Sequence, residues 1–374
     1  MSGRFEWSLE PNELSLLLDA RRRGGARILD LTESNPTRAG FHYPPEIGAA
    51  LCSERALLYE PDPWGLPAAR RAVADLHGVD VERVMLTAST SESYSYLFKL
   101  LCGAGDNVLI PVPSYPLFEF LAKLECVEIR AYPLHFDGAA WRIDFDALGA
   151  AIDNGTRAIA VVNPNNPTGS YLKRDEVAAL AAIAARHGLA LISDEVFACY
   201  PLTEDAARVA TLAEVKDIPV FCLSGLSKMA GLPQMKAGWM VMSAPAGLRE
   251  RLELIADTFL SVSAPVQHAL PTLLKLGEHV RGQISLRTKE NLRWLERAAR
   301  PLPVEGGWYA VLPVGDPEED EFVLRLLGDH NVLVQPGFFY DFQEGGVVVL
   351  SLLTPPAVFR EGVEILLENS QQRP

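Results

Sequence analysis

Between about Asn107 and Ser243 the chain alternates short β-rich apolar runs with longer stretches of helical period, a pattern that few architectures can satisfy. Asn107 to Ile110, Arg157 to Val162, Leu189 to Ser193 and Pro219 to Leu223 read as buried strands. Lys173 to His187 carries an Ala/Leu/Ile stripe at helical spacing with its charges off the stripe, which is the pattern of a crossover helix. The link from Leu223 to the apolar run Ala237 to Met242 holds Gly225, Gly231 and Pro233 and has no helical period. An antiparallel return strand is therefore expected there in place of another crossover. The expected fold class is α/β, with a doubly wound, mostly parallel sheet between helices.

Beyond about Leu248 the texture changes to long helical stretches, followed by strands at Gly307 to Leu312, Val332 to Gln335 and Val347 to Leu352 with helices between. A smaller α+β domain is expected from this part, with the N-terminal forty or so residues packed onto it. The division reads as a large domain over 46–250 and a small one built from 1–45 and 251–374. The acidic stretch Gly315-Asp316-Pro317-Glu318-Glu319-Asp320 reads as a surface loop. No internal repeat and no low-complexity segment is visible.

With 374 residues, 48% of them hydrophobic, the chain is long enough for two domains with real cores. Its 34 basic and 48 acidic residues give a formal net charge of −14, so a general polyanion-binding surface is disfavoured and no nucleic acid partner is expected. The five cysteines, Cys52, Cys102, Cys126, Cys199 and Cys222, are scattered and form no CxxC pair. That usage fits reduced thiols and a cytoplasmic address better than a disulfide framework or a zinc site. Leu14 to Leu18 is too short for a signal core, and no apolar run approaches the roughly 18 residues of a membrane helix. No membrane association is expected.

Three segments carry chemistry in a fixed order: Asn163-Pro164-Asn165-Asn166-Pro167-Thr168-Gly169, then Ser193-Asp194-Glu195-Val196-Phe197, then Ser224-Gly225-Leu226-Ser227-Lys228. Taken singly these are a turn, an acid after a strand and a loop lysine. Asp194 follows a buried apolar strand, where an unpaired carboxylate is costly. Lys228 is a primary amine among small residues, able to form a Schiff base. Upstream, Ser89-Thr90-Ser91-Glu92 has the form of a capping box opening a helix from Ser93 to Cys102, and a helix start is a ready phosphate site. Pro113-Ser114-Tyr115-Pro116 adds an aromatic ring at a turn.

Together these segments resemble the cofactor site of a fold-type I pyridoxal phosphate enzyme of the class I/II aminotransferase family, the aspartate aminotransferase-like group. The resemblance covers nearly the whole chain, is specific from Thr87 to Gly238 and fades toward both ends. It implies a large domain with a mostly parallel seven-stranded sheet, a smaller α+β domain, and pyridoxal 5'-phosphate as cofactor. It implies Lys228 as the Schiff-base lysine, Asp194 on the pyridinium nitrogen, Asn166 on the 3-oxygen and Tyr115 stacked on the ring. Thr90, Ser91, Ser227 and Lys236 are the implied phosphate ligands. Tyr59, in Tyr59-Glu60-Pro61-Asp62-Pro63-Trp64-Gly65, resembles a residue that reaches the phosphate of the other subunit, so a homodimer is expected.

Four departures bear on the reaction. In the Asp194 segment the family commonly has a Tyr that donates to the 3-oxygen, where Phe197 cannot. Lys236 stands where the family has a phosphate-clamping Arg, and offers a point charge in place of a fork. Gly225 replaces a phosphate-binding hydroxyl, for which Ser224 or Ser227 could substitute. In Val347-Val348-Val349-Leu350-Ser351-Leu352, similar to the family's Arg-Leu-Ser strand, Val349 occupies the place of the Arg that takes the substrate carboxylate. Arg38, in Asn35-Pro36-Thr37-Arg38-Ala39-Gly40, is then the first candidate for a substrate anchor.

The resemblance implies transfer of an amino group from an amino acid or amine to a keto acid, with Lys228 moving the α-proton as general acid and base. A decarboxylase or carbon-sulfur lyase on the same scaffold is the alternative, kept open by Val349. A non-catalytic sensor is disfavoured, because its transcription-factor forms carry an added DNA-binding segment for which there is neither spare length nor a basic stretch.

Overall fold

Runs that are apolar on both faces are satisfied inside a sheet covered on both sides. They take that position in the computed structural model, which describes residues 4, 7, 10–315, 318–343 and 345–370. In chain order the strands are β1 (Leu29–Asp30), β2 (Val84–Thr87), β3 (Asn107–Val112), β4 (Glu128–Phe136), β5 (Trp141–Ile143), β6 (Thr156–Val162) and β7 (Ala190–Asp194). They continue with β8 (Val220–Gly225), β9 (Gly238–Ser243), β10 (Tyr309–Pro313), β11 (Val332–Leu333), β12 (Gln335–Pro336) and β13 (Val347–Ser351). The main sheet runs β2-β9-β8-β7-β6-β3-β4-β5. The seven expected strands are present, and β5 adds a three-residue hairpin at the edge, making eight. The pairs among β4, β3, β6, β7 and β8 are parallel, whereas β9 returns antiparallel between β8 and β2.

Side chains alternate between two apolar layers, as the pleat requires. Val108 and Ile110 enter one layer while Leu109 enters the other; Ile192 and Leu191 divide in the same way. The crossover helix Arg174–His187 starts where Glu176 accepts from the Lys173 amide at 2.9 Å, and it ends at Gly188, whose φ of +66° suits a left-handed cap. The first helix of the site runs Thr90–Leu101, three residues earlier at its start than the capping-box reading has it. Ser89 is the cap, its hydroxyl accepting from the Glu92 amide at 3.2 Å, while the Glu92 carboxylate reaches past Ser89 to the Ala88 amide at 2.6 Å. Thr90 to Glu92 therefore form the first helical turn.

A three-stranded antiparallel sheet, β10-β13-β12, and the parallel pair β1-β11 make up the rest. The stretch expected as one strand from Val332 to Gln335 is divided between these two sheets. The helix Glu13–Arg23 packs against the helix Glu319–His330. Glu319 is thus helical and buried, not a surface-loop residue. Its carboxylate accepts from the Val347 amide at 2.9 Å and the Phe338 amide at 3.1 Å, which explains an acid at the end of an acidic stretch turning inward. Asp316 and Pro317 of that expected loop lie outside the described residues.

Two groups of contacts tie the sheet to this second part. Lys173, nearly buried, makes ion pairs of 2.7 Å with both Asp205 and Glu305. Beside it the Gly306 amide donates to Gly169 O at 2.9 Å, and Gly169, with φ +72°, approaches so closely that a Cβ would lie 2.7 Å from Gly306 O. The other tie is the 35-residue helix Ala264–Ala298, which buries Leu270, Leu273, Val280 and Ile284. At Gly277 this helix touches Ala230, and an added Cβ would overlap Ala230 Cβ. At Gly282, exposed on the same helix, nothing lies within 4 Å. Helix propensity favours Ala over Gly at both positions, so packing alone separates them. Gly282→Ala is expected to stabilise the protein by about 0.5–1 kcal/mol. Gly277→Ala is expected to destabilise it by about 1–3 kcal/mol. Urea unfolding of the two variants side by side checks the pair, and equal midpoints would refute the close packing.

Candidate active site

Parallel strands deliver whatever follows them to one edge of the sheet, and the crevice outside their carboxyl ends is where side chains from distant segments converge. Here β3 leads to Tyr115, β6 to Asn166, β7 ends in Asp194 and β8 leads to Lys228. All four residues line one cavity of about 360 Å³. Thr90 and Ser91, at the start of the helix Thr90–Leu101, close it on a further side.

Burial governs the two charged groups at its centre. The Asp194 carboxyl is pushed up to about 6, chiefly by burial. It is held by the Val196 amide at 3.2 Å, by a long hydrogen bond of 3.4 Å from the Tyr94 hydroxyl, and by the charge of Lys228. The Lys228 amine is pushed down to about 8 by the same withdrawal from water, with Asp194 opposing the shift. Two aromatic faces flank it: Lys228 Nζ lies 5.0 Å from the Trp308 ring centroid and 5.6 Å from that of Phe197. The Tyr200 hydroxyl donates to Lys228 O at 2.6 Å and fixes the backbone. A buried carboxylate with one nearby amine calls for a cationic ligand. The Asn166 side chain adds a separate need, for a hydrogen-bonding group of a ligand, since it is buried in the cavity wall with Oδ1 unpaired.

The opposite end suits an anion. The helix start at Thr90 presents amides without intrahelical partners. Ser227 and Lys236 line the same cavity. Lys236 is exposed and adopts φ +49° at the close of a short helical turn. Gly225 and Gly238 are paired across β8 and β9, and the backbones touch: a Cβ on Gly225 would lie 2.9 Å from Ala237 O, and one on Gly238 3.0 Å from Ser89 C. A hydroxyl side chain at 225 has no room, which accounts for that departure. Ser227 reaches the cavity, whereas Ser224 is buried away from its lining with its hydroxyl unpaired.

Two expected residues lie elsewhere. Tyr59 is 82% exposed and lines a separate cavity of about 250 Å³ with Tyr96, Gln267 and His268. Arg38 is exposed on the turn after Asn35 and is outside the wall of the central cavity. Val349 is fully buried opposite Val311 and Gln335, within the apolar layer that holds Tyr309 and Tyr340. Ser34, Tyr94 and Tyr309 join the cavity with no motif to announce them. For Tyr94 a signal existed: it stands four residues after Thr90, on the same helical face.

A site for an anionic tail at a helix start, a cationic ring nitrogen at a buried acid and an aldehyde at a depressed amine is what a fold-type I pyridoxal 5'-phosphate enzyme requires. Sequence comparison narrows that class: the pattern of the aminotransferase class I and II family matches residues 27–354, and the chain belongs to that family. It is a pyridoxal 5'-phosphate-dependent enzyme that transfers amino groups. Among its relatives, the glutamate-pyruvate aminotransferase AlaA of Escherichia coli (strain K12) is 30% identical over 272 residues, covering 69% of this chain and 67% of that protein. An alanine aminotransferase of Mycobacterium tuberculosis is 29% identical over 344 residues, 84% of this chain and 78% of its own. In structure the chain is similar to the alanine aminotransferase from Pyrococcus furiosus, with a TM-score of 0.88, 24% identity and full coverage of both chains. The decarboxylase or lyase alternative gains no support from these relatives.

The neutral amine is the reactive form. In cofactor-free protein, acylation of Lys228 followed by peptide mapping is therefore expected to accelerate through a midpoint near pH 8. Asp194→Asn removes the charge that favours the ammonium, so the midpoint should fall. A midpoint in the ordinary lysine range, or a rise in the variant, would contradict the burial argument.

Proposed function

We propose that this chain transfers the amino group of a small amino acid or amine to a keto acid, with Lys228 as the covalent and proton-moving residue. The observation that carries this is the buried Lys228 amine, depressed to about 8, beside an Asp194 carboxyl raised to about 6 in one cavity. The names of the relatives, glutamate-pyruvate and alanine aminotransferases, support small amino donors and keto acceptors. Bound here, the cofactor supplies an aldehyde for the amine and a ring that accepts the electron pair left when the α-proton departs.

Asp194 keeps the ring nitrogen protonated, and the Tyr94 hydroxyl and Val196 amide hold Asp194 in place. Thr90, Ser91, Ser227 and Lys236 receive the phosphate, with the helix start contributing amides. Asn166 takes the 3-oxygen; Phe197, lacking a donor, leaves it as the side chain assigned there. Tyr115, 44% exposed at the mouth, covers the ring face. With cofactor and substrate bound, Lys228 would be the residue that holds the α-proton and delivers it. A pKa near 8 puts both protonation states within reach at neutral pH. While protonated, the ammonium faces the rings of Trp308 and Phe197.

The active unit is a homodimer in this proposal, and the protein is cytoplasmic. Tyr59 stands beside Leu57 and Leu58, which are 87% and 57% exposed, and such neighbouring apolar side chains need a cover. Five free thiols fit a reducing compartment, and no helix among the described residues is long and apolar enough to cross a membrane.

Lys228→Ala is expected to retain the cofactor through phosphate and ring contacts and to lose turnover by at least about 10³-fold. Borohydride reduction and peptide mapping of the unaltered protein should label Lys228, and a label on another lysine would refute the assignment. Mixing Lys228→Ala and Tyr59→Ala subunits should restore activity if Tyr59 serves the partner's site, because each hybrid then holds one intact site. Hybrids no more active than either parent would sink the shared-site dimer.

A further inference from the structure

The two ends of the cavity recognise different chemistry. Its lining contains two cations, Lys228 and Lys236, of which Lys228 serves the Schiff base and the α-proton and Lys236 the phosphate in the proposed function. No guanidinium is among the lining residues. Toward residues 33–34 the polar atoms are hydroxyls, from Ser34, Tyr115 and Tyr309. Tyr309 is 8% exposed and its hydroxyl interacts with the side chain of Ser34. Burial holds the Tyr309 and Tyr115 phenols above their ordinary range, so both stay neutral. The formal charge that bears on Tyr309 is negative, that of the Glu33 carboxylate.

The backbone makes this arrangement rigid. Ser351 on β13 donates its hydroxyl to Glu33 O and its amide to Leu31 O at 2.7 Å, which fastens the segment bearing Ser34 to the strand. Two residues earlier on that strand is Val349, fully buried, so no basic side chain rises from it into the cavity. A carboxylate placed against Tyr309 would stand beside the Glu33 carboxylate, and among the described residues that line the cavity no further cation is there to pair it. A hydroxyl at the same place both donates and accepts, and Ser34 and Tyr309 can satisfy it.

We propose that, as amino donor, this end of the site favours an amino alcohol over an amino acid, the carbon that bears the amine carrying a hydroxymethyl group in place of a carboxylate, with Ser34 and Tyr309 recognising that hydroxyl. The proposal rests on the assignment of Lys228 and Lys236 above. In the half-reaction, amine and cofactor aldehyde give substrate carbonyl and cofactor amine. The substrate carbon loses two electrons to the cofactor, and the water released on condensation is taken up again on hydrolysis.

Alanine, 2-aminopropan-1-ol and ethylamine differ only in carrying a carboxylate, a hydroxymethyl or a hydrogen, and they serve as probes. With holoenzyme, the single-turnover rate constant from bleaching of the visible band is expected to be roughly tenfold greater for the amino alcohol than for the other two. Ser34→Ala and Tyr309→Phe should each cut that advantage roughly tenfold, read in each variant as the ratio of the amino-alcohol rate constant to the ethylamine rate constant. Calorimetric affinity for cofactor-loaded Lys228→Ala, which needs no turnover, should follow the same order. Should Tyr309→Phe fail to fold, Ser34→Ala, exposed at its position, decides alone. Preference for alanine, or an amino-alcohol rate indifferent to both substitutions, overturns the proposal. If alanine alone bleaches the band and borohydride labels Lys228, this proposal fails and the parent reading stands. If no probe acts and the label falls elsewhere, both fail.

Discussion

Everything in the site follows from withdrawing one carboxyl and one amine from water at the ends of adjacent strands. Neither Asp194 nor Lys228 sits comfortably: burial drives the acid up to about 6 and the base down to about 8, and each only partly relieves the other. A pair so placed contributes little to folding and can cost stability. Its value lies in readiness, because a ligand with a cationic nitrogen at one end and an amine-reactive carbon at the other resolves both tensions. The fold supplies the withdrawal by placing β7 and β8 in the middle of the sheet, between β6 and β9, which are buried along nearly their whole length.

The anion end depends on absence of bulk in the same way. Gly225 and Gly238 let β8, β9 and the cap residue Ser89 approach to backbone contact, and Gly277 lets the long helix press on the turn after Lys228. These glycines serve the site by what they lack. A hydroxyl at 225 would come at the expense of that contact, and Ser227, two residues on, lines the cavity instead.

Much of this is legible in the sequence because the parallel sheet writes its strands as unbroken apolar runs, and each run points to the residue that follows it. Asn166, Asp194 and Lys228 are readable for that reason. The antiparallel return of β9 is equally readable, since its link has no helical period. Strand breaks set by pairing are not: Val332 to Gln335 is one apolar stretch, yet it serves two sheets because β1 and β13 claim different halves. Glu319 looks like a loop acid until two backbone amides from Phe338 and Val347 arrive to bind it. Tyr309 and Ser34 are 275 residues apart in the chain and meet only through β13, so no local pattern could join them.

The contact between Gly169 and Gly306, with Lys173 clamped by Asp205 and Glu305 beside it, has a thermodynamic side. It anchors the turn bearing Asn166 to the stretch that leads into Trp308 and Tyr309 before any ligand arrives. Loss of conformational entropy in that wall is therefore charged to folding, not to association. A loop that had to be ordered on encounter would subtract about 1–2 kcal/mol per residue from the affinity. Here the wall is preorganised, and the free energy of binding is left to the contacts themselves.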